Sequence, residues 1–319
     1  MPANPDFDAL ASTTLANHEA TLVDNISRQL PLYDFLKRKD RVKNKNGGSE
    51  IRIPVLTDFN STSATYALYE TLDITPQDGI SAAQYPWKQH AVSISIAGLE
   101  EAMNSGEEEV IDLLEAKIKQ AEITAADDFS DYFAGDGTGN SGKNPLGLKA
   151  LIGDASSSVT VVGGIDAATS TFWRSYVERT ATQLDLPYLE TAYNKASRGS
   201  DTPDGVFSGV TLFEKYVSLL TPALRLTDPK VGEAGFRNVL YKGATWVPDA
   251  GLETSEVGSV YFVNSDYVGI TTLRNQWLKM TPFKSPVNGD FRVAQIITYF
   301  NMWTSNRKLA GSKLEAKTA

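Results

Sequence analysis

SGEEEVIDLLEAKIKQAEITAADDFSDYF, residues 105–133, decides how the rest of the chain is read. Its apolar members Val110, Leu114, Ile118, Ala121, Ala125, Phe129 and Tyr132 recur at steps of four and three. At about 100° per residue they fall in one stripe roughly 100° wide, the width of a single buried helix face. Ser105 with Glu108 has the form of a capping box, and Glu107, Glu108 and Glu109 suit the positive start of a helix. Gly135 and Gly137 are placed to stop it. At ~1.5 Å per residue this predicts a rod on the order of 40 Å long. Residues 98–133 hold eleven Asp/Glu against two Lys, a net −9 that equals the formal charge of the whole chain. The expectation is a buried beam with an acidic back.

A chain of 319 residues with 41% hydrophobic content can form two domains or one elaborate one. No apolar run approaches the ~18 residues that read as a membrane span. The opening MPANPDFDAL has neither the basic nor the apolar region of a secretory signal. Without cysteine, disulfides, thiolate chemistry and cysteine-ligated metals are excluded. His18 and His90 are the only histidines, which leaves little for a serine–histidine pair or a histidine-bound metal. A net charge of −9 argues against broad affinity for nucleic acid. Composition points away from most enzymes, and no cofactor is expected.

Residues 1–46 read as an arm. Leu15, Leu22, Ile26 and Leu30 predict a short amphipathic helix ended by Pro31. The run KRKDRVKNK follows, with six basic residues, Lys37, Arg38, Lys39, Arg41, Lys43 and Lys45, and one acid. Such a run is either a solvated connector or a contact with nucleic acid or an acidic neighbour. In 47–97, Ile51, Ile53 and Val55 predict an edge strand containing Pro54, and Val92, Ile94 and Ile96 a second half-buried strand. Between Pro54 and Pro86 there is no Lys or Arg, only Asp58, Glu70, Asp73 and Asp78. With Tyr66, Tyr69, Tyr85 and Trp87 scattered through it, this stretch is expected to dock on another subunit rather than form its own core.

After the long helix, Val159, Val161 and Val162 suggest a strand. An inserted α/β unit is expected over 186–273. Its helix at 186–197 is followed by another from Thr211, with Glu214 completing a capping box. Short strands are expected at Val239–Tyr241, Ala244–Val247, Val260–Val263 and Val268–Thr272. The C-terminal part then returns in long strands, Trp277–Phe283 and Phe291–Trp303, joined by an Asn288–Gly289 turn. The last strand is apolar on both faces and so belongs inside a sheet, most naturally beneath the stripe of the long helix.

Three motifs invite a chemical reading and fail it. GTGNSGK, Gly137 to Lys143, has phosphate-loop spacing, but Asn144 stands where a magnesium-ligating hydroxyl belongs and Pro145 follows where a helix should. Asp136, Thr138 and Asn140 are spaced like calcium ligands, yet Ser141 and Gly147 occupy the positions of the required Gly and Glu. The acids of the long helix could pair for glycoside chemistry, but most lie opposite the stripe, where solvation explains them.

The order of elements (arm, two-stranded excursion, long helix, inserted α/β unit, return in long strands) resembles the tailed-bacteriophage major capsid protein, the fold named after phage Hong Kong 97. The residues that carry the resemblance are NGGSEIRIPV (Asn46–Val55), YETLDITP (Tyr69–Pro76), AAQYPWKQHAVSISIAGLEEAMNSG (Ala82–Gly106), GDGTG (Gly135–Gly139) and FWR (Phe172–Arg174). The resemblance implies an α+β capsid fold. In it, 1–46 is the N-terminal arm and 47–97 the E-loop hairpin. Residues 98–185 form a peripheral domain with the spine helix 105–133, residues 186–273 an axial domain, and 274–319 the C-terminal strands of the peripheral domain. It further implies subunits that assemble with themselves into hexamers and pentamers of an icosahedral head around double-stranded DNA, and a virion protein assembled in the host bacterial cytoplasm. Its partners would be a separate scaffolding protein, a portal and a decoration protein, with no membrane. The absence of lysine between Pro54 and Pro86 rules out a covalent cross-link from a lysine in that span.

Residues 274–317 carry eight Lys/Arg against two acids, while 54–86 carries a net −4. The expected subunit contact therefore places Asp58, Tyr66, Tyr69, Glu70, Asp73, Asp78 and Trp87 against Lys279, Lys284 and Arg292 of a neighbour. The alternatives are an encapsulin-like shell that stores cargo and, from another class, an enzyme with a carboxylate site in the inserted unit.

Overall fold

Pro31 starts a helix. A proline at the first helical position forfeits no hydrogen bond and already has the required φ. It opens α1 (Pro31–Arg38), which buries Leu32, Tyr33, Phe35 and Leu36. The computed structural model describes residues 30–103, 107–181, 183–220, 238–287 and 289–316. The helix expected through Leu15, Leu22 and Ile26 therefore lies outside the described residues, as does Ser105 of the capping box. Within the stretch read as an arm, Leu30–Lys45 belongs to the main core. Tyr33 stacks on Trp277 with ring centroids 5.0 Å apart, and β1 (Val42–Lys45) runs parallel to residues 270–273.

β2 (Glu50–Leu56) and β3 (Ile80–Pro86) form an antiparallel ribbon outside both large sheets. Ile51, Val55, Ala83 and Tyr85 line its buried side. Tyr85 roots it: its hydroxyl donates to the Thr304 carbonyl at 2.7 Å and accepts from the Thr304 N–H at 3.2 Å. Residues 57–79 connect the two strands without helix or strand. The half-buried strand expected at 92–96 is the centre of a longer one, β4 (Lys88–Ala97). A short helix, α2 (Gly98–Met103), leads to the beam, α3 (Glu107–Ala134). Leu114, Ile118, Ala121, Ala125 and Phe129 of the stripe are buried, Tyr132 is half-buried, and Ala126 and Phe133 join them. Gly137, with φ +78°, turns the chain away.

Gly163 and Gly164, both with positive φ, join the minimal strands β5 (Val161–Val162) and β6 (Ile165–Asp166). β7 (Tyr176–Glu178), α4 (Leu186–Ala196), β8 (Gly205–Ser208) and α5 (Val210–Leu219) follow. The expected capping box at Thr211 is not formed. Gly209 is the N-cap, and the orphan Thr211 N–H donates to the Glu253 carboxylate at 3.2 Å. That carboxylate belongs to α6 (Ala250–Ser255), which follows β9 (Val239–Tyr241) and β10 (Ala244–Pro248). The remaining elements are β11 (Ser259–Val263), β12 (Val268–Leu273), β13 (Lys279–Met280), β14 (Phe291–Thr304), α7 (Arg307–Ala310) and β15 (Gly311–Glu315). Left-handed backbone at Asn275 and Leu278 cuts the strand expected at 277–283 to the two residues of β13. Of the expected Asn288–Gly289 turn, Asn288 lies outside the described residues.

Two sheets organise two cores. In the first, β14 is central. β4 pairs along residues 291–300 of one edge, while β12 and β13 share the other and β1 lies beyond β12. The beam lies on this sheet, with Phe129 5.3 Å from Phe300 and 5.5 Å from Trp277 between ring centroids. This is the partner expected for the stripe. The second sheet has the order β7-β15-β11-β8-β10-β9 and its own core around Trp246, Tyr216, Tyr241 and Phe262. The boundaries therefore differ from those expected at 186, 273 and 274. β12 belongs to the first sheet, because its register with β14 continues the main core. β7 and β15, which flank the inserted segment in sequence, complete the second sheet.

Candidate functional site

Strand alternation sorts the first sheet into two faces. Along β14, Ala294, Ile296, Phe300 and Met302 are buried on the beam side. Val293, Gln295, Ile297 and Tyr299 face away, and among the described residues no helix covers them. Register places Ser93, Ser95, Ala91 and Gln89 beside them on β4. Lys279 is opposite Ile297, and Lys284 is bridged to Val293. Lys43 of β1 reaches the same face, its ammonium 5.9 Å from the Trp303 ring, and Lys45 is two residues further along the same strand. None of these strands places an Asp or Glu on this face. The face thus has an apolar centre of half-buried side chains with lysines at its margin. Arg292 does not join the group, since it stands in the alternate row opposite Ile96.

The ribbon loop 57–79 is the acidic counterpart. Phe59, Tyr66, Leu68, Tyr69, Leu72 and Ile74 are all more than 60% exposed, and clustered apolar surface of this kind commonly marks an interaction site. Its acids fall into two kinds. Glu70 and Asp73 build the loop: the Glu70 carboxylate accepts from the Ala67 N–H at 2.7 Å, and Asp73 accepts from Thr75 N–H and hydroxyl at 3.0 and 2.6 Å. Asp58 and Asp78 are exposed at the base. Trp87 is not part of the loop surface. It packs half-buried on its own core, and its indole N–H donates to the Gly48 carbonyl at 2.8 Å, so the neighbour-anchor role expected of it is not where the fold puts it.

The basic run 37–45 is divided by the fold. Arg38 pairs with Asp34 at 2.8 Å, Lys39 with Asp204 at 2.9 Å, and Arg41 with Asp266. Lys37 is exposed at the end of α1. Two further cations counted in the C-terminal excess are internal. Lys313 is held by Glu256 at 2.6 Å and Glu315 at 3.0 Å. Arg307, 0% exposed, donates to the carbonyls of Ala150, Leu151, Val159 and Thr160. Burial pulls its pKa down to about 10, while Tyr85, Asp154 and Asp166 act in the other direction. Nothing in the sequence marks these two as interior; the signal available for Lys43 and Lys45 was their two-residue spacing on a strand.

No group of three or more potential metal ligands occurs among the described residues. His90 does have a carboxylate, Asp128, 2.9 Å from Nε2, but its Nδ1 is buried with no hydrogen-bond partner and its ring packs on Phe129 and Tyr132. The arrangement offers no nucleophile. In GTGNSGK, Asn140 and Ser141 are left-handed and no strand precedes, so the phosphate-loop geometry is absent. A cleft of roughly 700 Å³ between the cores is lined by Lys149, Arg179, Glu256, Lys313 and Glu315. Burial opposes the Glu256 charge, but hydrogen bonds from Lys149 at 2.8 Å and from Lys313 outweigh it and keep the carboxyl below its usual range. Nearby, the Arg179 guanidinium holds Asp154 down to about 2. Carboxylates held ionised by lysine and arginine are poor proton donors, so this cleft does not provide an acid–base pair. Outside the cleft, burial pushes Asp249, the N-cap of α6, up to about 6 despite hydrogen bonds from Gly251 and Ser130.

No family model and no curated protein sequence matches the chain. Solved structures do. The capsid asymmetric unit of cyanophage A-1(L) is similar with a TM-score of 0.63 at 13% identity, covering 87% of this chain and 91% of that one. A chain of Mycobacterium phage Bobi is similar at 0.55 and 13% identity, with coverages of 88% and 90%. The encapsulin complex of Synechococcus elongatus is similar at 0.57 and 10% identity, with coverages of 88% and 86%. The chain therefore has the fold on which phage capsid and encapsulin proteins are built.

Proposed function

We propose that this chain is a shell subunit, the major capsid protein of a phage head, whose activity is ordered self-association. The observation that carries the proposal is a matched pair of surfaces on one chain. An acidic loop without cations exposes at least six large apolar side chains, and a sheet face that no helix covers among the described residues, and whose strands carry no acid there, presents an apolar centre with lysines around it. Loop and face differ, so a copy that gives its loop to one neighbour can receive a loop from another. Contacts of this heterologous kind generate closed rings when the rotation closes. Hexamers and pentamers around packaged double-stranded DNA, with scaffolding and portal partners, are the phage form of this reading. The similarity to an encapsulin supports a cargo-storing shell of the same geometry as the alternative.

Asp58 and Asp78 at the loop base face Lys279 and Lys284 of the neighbour. Individual exposed pairs contribute about 0–1 kcal/mol, so the charges set register and the apolar groups supply most of the affinity. Negative-stain microscopy of the purified chain, over a range of concentration and salt, is expected to show rings or closed shells. Double reversal, Lys279→Glu with Lys284→Glu, is expected to abolish them, and Asp58→Lys with Asp78→Lys to restore them in part. A compact monomer under every condition overturns the proposal. Nucleic acid inside the particles selects the phage form, and a co-purifying enzyme the encapsulin form.

A further inference from the structure

We infer that residues 67–70 form a preorganised knob, with Leu68 and Tyr69 as the anchor that a second copy of this chain buries, and Glu70 as the residue that holds the anchor in place. The inference rests on the shell reading and adds to it a specific contact. Ala67–Glu70 is a closed turn: the Glu70 N–H donates to the Ala67 carbonyl at 3.2 Å, and the Glu70 carboxylate returns to accept from the Ala67 N–H at 2.7 Å. Both backbone ends of the turn are therefore satisfied from within it. Tyr69 has φ +79°, a left-handed conformation that type II turns reserve for glycine at this position. A bulky residue persists there only when its surroundings hold it, and such strain is found where a surface is poised for contact.

The side chains so presented are exposed in full. Leu68 is 84% and Tyr69 98% accessible, and no aromatic or polar contact within the described chain involves the Tyr69 ring. Further hydrogen bonds close the base of the loop. Ser61 donates to Gln77 at 3.0 Å across it, and Thr57 N–H to the Gly79 carbonyl at 2.8 Å. A flexible loop would lose entropy on docking, whereas one fixed in this way has already lost it.

The occupant of the complementary surface is a second copy. Val293, Ile297 and Tyr299 form the half-buried apolar centre of the helix-free face, with Lys279 and Lys284 beside them. An apolar core within a charged rim is the anatomy of a protein interface. The acidic loop and lysine margin are complementary in sign, and no side chain on that face repels an acid. This division also gives Glu70 a role different from that of Asp58 and Asp78: it acts through the shape of the turn and not through its charge.

That difference defines the test. Glu70→Gln keeps an acceptor oxygen for the Ala67 N–H but removes the charge, whereas Glu70→Ala removes both. The full chain and its variants are assembled at rising concentration and followed by light scattering, with thermal unfolding of the unassembled subunit as a control for folding. The Leu68→Ser, Tyr69→Ser double variant is expected to raise the concentration needed for assembly about tenfold or more, as loss of an interface anchor does. Glu70→Ala is expected to raise it severalfold with Leu68 and Tyr69 intact, and Glu70→Gln to assemble like the parent. Glu70→Gln as defective as Glu70→Ala would assign Glu70 a charge role and overturn the inference. Normal assembly of the double variant would also overturn it while leaving the shell reading standing. A parent chain that never assembles overturns both.

Discussion

Asp249→Asn should make this protein more stable near neutral pH and change how its stability depends on pH. Asp249 caps α6, where the second lobe meets the beam. Its Oδ1 accepts from Gly251 N–H at 2.9 Å and from the Ser130 hydroxyl of α3 at 3.3 Å. No Lys or Arg lies within ion-pair distance among the described residues, and the nearby Asp131 repels its charge. The carboxyl therefore titrates near 6 in the folded chain against an ordinary 3.8. A folded-state value above the unfolded one means that the folded state holds its proton longer, so stability falls as pH rises from about 4 to about 6 and stays reduced above that. A difference of about two pH units at ~1.4 kcal/mol each places the cost at about 3 kcal/mol at pH 8 and about 1 kcal/mol at pH 4.5. Asparagine retains the carbonyl that accepts both hydrogen bonds, but its buried amide N–H groups cost ~1 kcal/mol or more. The net gain at pH 8 should be about 1–2 kcal/mol. The firmer quantity is the change in the difference between variant and parent, about 2 kcal/mol between pH 8 and pH 4.5. Urea unfolding of the unassembled subunit, followed by tryptophan fluorescence, measures it. Asp154, Glu178 and Glu256, whose pKa values are lowered in the fold, lose stability in acid equally in both proteins and cancel. Parallel pH profiles for parent and variant would refute the reasoning.

Two further substitutions probe the joints of the fold. Arg307→Met keeps much of the side-chain volume but removes the donor of four carbonyls, of which those of Ala150 and Leu151 are buried, and should cost about 2–4 kcal/mol, read as a lowered urea midpoint. Gly251→Ala would put a Cβ 2.3 Å from the Ser130 carbonyl oxygen, where the two helices meet backbone to backbone. It should force α6 away from α3 and cost about 1–3 kcal/mol, with faster hydrogen exchange at the C-terminal turns of α3.

The parts legible in the sequence were those with a period. The stripe of α3 and the doubly apolar β14 announced both their type and their mutual contact, because 3.6- and 2-residue spacings translate directly into faces. The role of Pro31 depends on context, because a proline punctuates a helix at either end; here it opens α1, and the packing of Tyr33 on Trp277 holds that helix on the core. The sequence GSKLE of β15 has no alternation, since its residues are buried on both faces between two other strands, and its lysine is interior. Counting Arg307 and Lys313 as surface charge overstated the basic excess for the same reason: a formal charge does not say where its partner lies. Of the candidate contact residues, Asp58, Tyr66, Tyr69, Asp78, Lys279 and Lys284 are exposed, while the places of Trp87, Arg292 and most of the 37–45 run depend on register and ion pairs that no local pattern encodes.

The placement of β14 and β15 bears on how the chain folds as it is made. β14 is the central strand of one sheet and β15 an internal strand of the other, joined only by α7 and a short turn. Neither core can close until residues 291–316 have been synthesised, so earlier segments wait with their apolar faces open. Long-range pairings such as Val42 with Ile270, and Tyr176 with Ser312, make folding slow relative to a helical bundle. The lysine-rimmed face, too, is created only when β14 enters the sheet. On the proposed pairing of loop and face, a nascent subunit has a loop to offer but no surface on which to receive one, and growing chains are kept from associating before they are finished.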